Sequence, residues 1–317
     1  MRSPAFVAVT VLVLGAWIVP PRTFVSEASA SPRLARRQAL LALQAAAPAA
    51  AEAAADGRPV VAVLGAGGRT GNLIPGQLLK LGARPRALTR SGKWTPPAGE
   101  TAEGIETGKA DVTDAASLAA ALAGCTAVVW AAAFSRGNST PKEVDNAGLV
   151  STAKAVRDLG VQRLVVVSSA ATTRPYAPVG VLLNTVADSV LLEKLQGESE
   201  MKGILSGSSS TYTIIRPGGL KLGDAKGFKD LEFNQADTHV GPVQRADVAA
   251  VAAACAMDPQ NRGAMKTFEM YEADGRSGLL PWFGEPKFAV RGEDCGEMLG
   301  QLRPDGEVPE VKPLPFL

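Results

Sequence analysis

The chain has 317 residues and a single histidine, His239. One imidazole excludes a metal site built on several of them. Its three cysteines, Cys125, Cys255 and Cys295, stand far apart, which gives neither zinc-ligand spacing nor a disulfide framework. Residues 72 to 99 contain no acid, although they hold Lys80, Arg84, Arg86, Arg90 and Lys93. A basic surplus is also missing. The first 56 residues carry five arginines (Arg2, Arg22, Arg33, Arg36, Arg37) against Glu27, Glu52 and Asp56, leaving 28 basic and 28 acidic residues after them. Nucleic-acid binders normally show a basic excess, so that class is disfavoured. There is no internal repeat and no heptad pattern.

The first 56 residues read as a presequence. Ala5 to Val19 form an apolar run closed by Pro20-Pro21, short for a membrane span and of the right length for a signal-peptide core. An uncleaved anchor is the alternative. Residues 22–55 are rich in Arg, Ser and Ala with few acids, the composition of an organellar transit peptide. A signal core followed by a transit-like segment resembles the bipartite presequence of algae with complex plastids, which implies a plastid protein. Arg36-Arg37 before the apolar stretch Gln38 to Ala51 is similar to a twin-arginine signal for the thylakoid lumen. Ordinary transit-peptide arginines fit the same residues, so stroma and lumen both stay open. Residues 57–272 then form one domain that does not span a membrane, and 273–317 a Gly- and Pro-rich irregular tail. That tail, with Trp282, Phe283 and Phe288, either wraps the domain or docks a partner.

Pro59 to Leu64 is an apolar strand running into Gly65-Ala66-Gly67-Gly68-Arg69-Thr70-Gly71. The pattern G-x-G-x-x-G started at Gly65 fails at Thr70, whereas G-x-x-G-x-x-G fits Gly65, Gly68 and Gly71. Such a turn lets backbone amides approach a pyrophosphate at a helix N-terminus; the plain alternative is a tight turn alone. A strand follows at 84–89, and its end lacks the acid that an NAD site places against the ribose hydroxyls. Arg90 stands there instead, and a guanidinium grips a 2′-phosphate with two hydrogen bonds. Arg69 is placed to reach the same phosphate. Arg84 and Arg86 read as facing solvent. NADP(H) is therefore expected in preference to NAD(H).

Strand-like and helix-like runs alternate through the domain, predicting an α/β fold with a doubly wound parallel sheet of Rossmann type. Helices are expected at about 71–81, with Pro75 tolerated in the first turn, and at 115–122, 144–159 and 186–205. A final amphipathic helix opens at Arg245-Ala246-Asp247. Strands are expected at 105–110, 127–132, 163–167, 211–215 and 266–271. Asp111-Val112 is placed to accept the adenine amino group, or else belongs to the N-cap region of the next helix. Ala131 and Ala132 are small enough for a cofactor to cross. Ser168-Ser169 and Arg216-Pro217-Gly218-Gly219 reach the carboxyl edge of the sheet, where ligands bind in open α/β folds.

These motifs, together with Val165-Val166-Val167-Ser168-Ser169, Tyr212-Thr213-Ile214-Ile215-Arg216-Pro217-Gly218-Gly219 and Arg245-Ala246-Asp247-Val248-Ala249, resemble the atypical short-chain dehydrogenase/reductase family, of the NmrA-like plastid type. The resemblance covers about residues 59–271. It implies a cofactor site at Gly65, Gly67, Gly68, Arg69, Thr70, Gly71, Arg90, Asp111, Val112, Ala131, Ala132, Pro217 and Gly218. Ser168 or Ser169 fills the family's serine place. Lys194 falls at the lysine that holds the nicotinamide ribose. The tyrosine four residues earlier is Val190, which has no proton to exchange. Tyr176, in the loop after Ser169, is the candidate substitute; it reads equally as a residue packed on the pocket rim. His239 reads as a surface or supporting residue.

Two readings follow. One is an NADP-dependent oxidoreductase acting on an unknown small molecule with a nonstandard proton donor. The other is a non-catalytic NADPH-sensing regulatory or assembly factor for a plastid protein partner, a role the resemblance to plastid relatives implies. A methyltransferase is a distant third, because the acid usual after its glycine loop is missing.

Overall fold

The computed structural model describes residues 57–174, 181, 184, 185, 189–274 and 286–309. The presequence, Tyr176, Trp282 and Phe283 lie outside the described residues.

Strand β1 (Val60–Leu64) is buried along its whole length, as a strand covered on both faces must be. It lies between β2 (Arg84–Thr89) and β4 (Ala127–Trp130), with Val61 level with both Pro85 and Ala127. Beyond them come β3 (Glu106–Lys109), β5 (Arg163–Val167), β6 (Thr211–Pro217), β8 (Leu231–Asn234) and β10 (Lys266–Glu272). The eight-stranded order is β3-β2-β1-β4-β5-β6-β10-β8, parallel throughout except that β8 runs antiparallel to β10. The order reverses between β1 and β4, and a ligand crevice opens at such a switch point. Two further strands, β7 (Gly219–Lys221) and β9 (Pro242–Gln244), pair as a small separate ribbon.

The two faces carry separate cores. On one lie α1 (Ile74–Lys80), α5 (Arg245–Met257) and α6 (Cys295–Gln301), packed on Val61, Val63, Val129, Val165 and Phe268. On the other, α2 (Ala115–Leu122), α3 (Leu149–Asp158) and α4 (Val190–Leu205) cover Ala62, Leu64, Val128, Trp130 and Leu164. A single-turn 3₁₀ stretch, Gly71–Leu73, leads into α1, and Pro75 sits in its first turn. A π-helical stretch, Lys142–Gly148, leads into α3. Among the described residues no helix is long and apolar enough to cross a membrane.

Several expectations change. The segment after residue 272 is not irregular throughout: α6 docks Cys295, Met298 and Leu299 into the core, and Val290 bridges to Phe233 on β8. Helix α5 is therefore not the last one. It is not amphipathic either, since α1, α6 and the sheet bury nine of its residues. Arg84 and Arg86 do not face open solvent. Both pair with Glu106 on the neighbouring strand, at 2.7 and 3.1 Å, and Arg86 also donates to the carbonyls of Ala121 and Ala123. His239 is buried, not on the surface, with its ring edge-on to Tyr271 at 4.7 Å.

Candidate functional site

The glycine turn is built against the end of β4. Gly65 has φ +81°, and a Cβ there would lie 2.6 Å from the Ala132 amide nitrogen and 2.7 Å from the Ala131 carbonyl. A Cβ on Gly71 would collide with the Gly65 carbonyl, and one on Gly68 would lie 3.3 Å from it. Gly67 differs: its nearest neighbour would be Thr89 Cγ2 at 3.7 Å. Gly65 and Gly71 are thus required by close backbone approach and Gly68 is tight, and these three are the glycines of the G-x-x-G-x-x-G spacing. The Gly68 amide donates to the Gly65 carbonyl at 2.9 Å and the Asn72 amide to the Gly68 carbonyl at 2.8 Å. Among the described residues, the amides of Arg69, Thr70 and Gly71 meet no backbone acceptor. Successive free amides at a helical start form a cradle for an anion. Asn72 Oδ1 is buried there without a partner. The donating amides, not this oxygen, fit a dinucleotide pyrophosphate.

Arg90 and Asp111 stand just past the ends of β2 and β3. Arg90 is exposed. Asp111 accepts the Thr113 hydroxyl at 2.7 Å and its amide at 3.0 Å, both on Oδ1. Those bonds, then the charges of Arg90 and Lys109, hold its carboxyl below the usual range despite partial burial. The N-cap of α2 is Asp114, which accepts from the Ala116 and Ser117 amides. Val112 is buried and packs over Gly148 beside Trp130. Arg69 is exposed in the turn. It lies close enough to Arg245, at the start of α5, to lower that guanidinium's pKa together with the larger effect of burial.

The far side, over β5 and β6, is occupied by charge. Ser168 donates to Glu198 Oε1 at 2.5 Å, and Arg216 donates to Glu198 Oε2 at the same distance. Burial works against the Arg216 charge, but Glu198, Asp237 and Glu269 outweigh it and raise the pKa. Glu269 is pushed well above the usual carboxylate range by burial and by Asp237, with Arg216 opposing. Ser169 turns back to the Ala170 carbonyl. Lys194 Nζ lies 2.6 Å from Asp145 Oδ1. Val190, at the tyrosine place, packs with Leu191 and Ala171. Pro217 is buried in β6, and a Cβ on Gly218 would collide with the Gly241 carbonyl.

The structure therefore brings the glycine turn, Ala131 and Ala132 together at the switch point. Arg90 and Asp111 lie to one side, and Ser168 and Lys194 at the ends of the other elements. It does not leave Ser168 or Lys194 unengaged. Glu198 and Asp145 were not singled out in the sequence, and Arg216, placed there at the carboxyl edge of the sheet, was not paired with Glu198. Their partners lie 18 to 49 residues away in the chain, so no local pattern exposes them.

A family model for NAD(P)H-binding proteins matches residues 65–259. An uncharacterized chloroplastic protein of Arabidopsis thaliana is 36% identical over 170 residues, which are 51% of this chain and 59% of that protein. The chain thus spans well under two thirds of that relative's length. Among solved structures, a Bacillus halodurans protein assigned as an NAD-dependent epimerase/dehydratase is 25% identical, with TM-score 0.55 over 69% of this chain and 96% of that one. The Lactococcus lactis oxidoreductase ylbE is 19% identical, with TM-score 0.57 over 72% and 100%. At that identity the likeness concerns the fold.

Proposed function

This chain belongs to the NAD(P)H-binding family, and we propose that it is an NADP-preferring, atypical short-chain dehydrogenase/reductase-like protein of the plastid, of the NmrA-like type. The observation that carries the reading is the cradle of free amides at Arg69, Thr70 and Gly71, with exposed Arg90 at the end of β2 and no acid between residues 72 and 99. In this reading Arg90 holds the 2′-phosphate and Asp111 Oδ2 faces the adenine. Arg69 is placed near the pyrophosphate, with Ala131 and Ala132 as the floor. The chloroplastic relative and the presequence composition support the plastid assignment. Arg90→Ala is expected to weaken NADPH binding about tenfold, the loss of one charge-assisted contact, and to leave NADH nearly unchanged. Calorimetry with both cofactors checks this; equal wild-type affinities would remove the NADP preference.

When bound, a reduced nicotinamide supplies a hydride for a carbonyl or quinone. What the chain's own residues add decides between the two readings. Ser168 already directs its proton to Glu198, so it presents a lone pair to the crevice and not a donor. Val190 supplies no proton to a substrate. This combination favours the second reading, in which NADPH occupancy switches a surface for a plastid partner. The purified chain with NADPH and a panel of quinones and carbonyls separates them. Turnover that fails in Tyr176→Phe establishes the oxidoreductase. Cofactor binding with no turnover across the panel favours the regulator.

A further inference from the structure

Two of the three cysteines, far apart in the sequence, meet in the core. Cys255 lies near the end of α5 and Cys295 opens α6, on either side of β10 in the chain. Both are buried, at 2% and 4% exposure, in the same apolar cluster. The Cys255 thiol hydrogen-bonds to Cys295, and that bond, followed by burial, pushes its pKa well above the ordinary value. A disulfide needs Cβ atoms about 3.5–4.5 Å apart, and thiols already in contact need little movement to meet that condition.

A second contact joins the same two helix ends. Asp258, just past Cys255, accepts the Arg262 amide at 2.6 Å and the Arg262 guanidinium at 2.8 Å. That guanidinium lies against the first turn of α6, where a Cβ on Gly296 would collide with it. Asp258 foremost, with Asp294 and Cys295 adding, favours its charge. The ends of α5 and α6 are thus fixed against each other independently of the thiols. Cys125 stands apart from this arrangement: it belongs to the core on the other face of the sheet, with Arg86 at 3.5 Å from its sulfur.

We propose that Cys255 and Cys295 form an oxidisable dithiol, a modification site that closes to a disulfide under a peroxide and staples α6 to α5. Cys295 reacts first, because it is flanked by exposed Asp294 and Glu297 at the start of α6. One peroxide oxygen passes to its sulfur, giving a sulfenic acid and one water. The Cys255 sulfur then attacks that sulfur. The S–O bond breaks, the S–S bond forms, and the Cys255 proton leaves with the hydroxyl as a second water. The peroxide is reduced and both sulfurs are oxidised. The plain alternative is a pair of inert thiols that only fill the core, as buried cysteines do. The site does not depend on the dinucleotide reading.

In the test, the purified, reduced chain is treated with hydrogen peroxide while folded, then quenched, unfolded and alkylated, and its peptides are weighed. The expected result is a Cys255–Cys295 disulfide with Cys125 alone alkylated, and three alkylated cysteines once dithiothreitol is added. Closing a loop of about 40 residues should raise the melting temperature by roughly 5–10 °C, and dithiothreitol should reverse the rise. Cys295→Ala treated in the same way should show no rise; Cys255→Ser replaces it if that variant does not fold, and the wild-type peptide masses stand without either. Three free thiols after treatment, sulfinic or sulfonic acids without a cross-link, or a cross-link to Cys125 or to a second chain overturns the dithiol. A disulfide that leaves the melting temperature unchanged, or an equal rise in Cys295→Ala, overturns the staple.

Discussion

Gly68→Val is expected to abolish dinucleotide binding while the domain stays folded. Gly68 does not have the left-handed backbone of Gly65, so a β-branched residue meets no forbidden φ there. Its Cβ would stand 3.3 Å from the Gly65 carbonyl, tight but open to relaxation. The added methyls then enter the space where a pyrophosphate must meet the Arg69, Thr70 and Gly71 amides. Losing two charge-assisted bonds, at about 1.5–3 kcal/mol each, weakens binding by more than about 100-fold. Gly67→Ala is the control, because its Cβ meets only Thr89 Cγ2 at 3.7 Å, and it should bind nearly as wild type. Gly65→Val would be uninformative, since it breaks the packing of β1 on β4 itself. Calorimetry beside thermal melts checks all three; a Gly68→Val protein that binds NADPH normally would reduce the loop to a turn.

That contrast between Gly67 and its neighbours was legible in the spacing. The parallel strands were legible too, because β1, β4 and β5 are short apolar runs covered on both faces. Of the strands after β6, β10 was legible as well, and β7, β8 and β9 were not. β7 is three exposed residues, β9 begins with proline, and β8 buries the polar side chains of Glu232 and Asn234. Tertiary partners override the local pattern there: Glu232 accepts from Tyr271 and Arg291, and Asn234 donates to Glu269. Helix α6 did leave a signal. Asp294 accepts the Glu297 amide, and Glu297 reaches back to the Glu293 amide, a capping-box arrangement displaced by one residue. Gly296 and Gly300 lower helix propensity enough to hide it.

The site shows the same division. Backbone features, such as the glycine turn and the small residues opposite, follow from sequence because their chemistry is local. The engagement of Ser168 by Glu198 and of Lys194 by Asp145 depends on how α4 lies against β5 and the π-helical stretch. Charged residues read one at a time are assigned to the surface. Here Glu198, Arg216, Asp237 and Glu269 are all buried.

Arg216→Met is expected to be among the most destabilising substitutions in the domain. Arg216 is the cation facing Glu198, Asp237 and Glu269, and it donates to Glu198 inside the core. Removing one partner of a buried pair leaves the other charge desolvated and uncompensated, at a cost of about 3–5 kcal/mol. For a domain of this size that lowers the melting temperature by roughly 10 °C. The pH dependence identifies the cause. The carboxyl of Glu269 has its pKa raised in the folded state by burial and by Asp237, so folding favours its protonated form. Its contribution is complete below the unfolded pKa and is lost as pH rises toward the folded pKa, at up to about 1.4 kcal/mol per pH unit. Arg216 opposes that shift, so Arg216→Met extends the loss to higher pH, whereas Glu269→Gln removes it. Urea unfolding from about pH 5 to 8 should therefore show the flattest profile in Glu269→Gln and the longest decline in Arg216→Met. A Glu269→Gln profile parallel to wild type would mean that another group carries the proton, and the charge balance assigned to this cluster would be wrong.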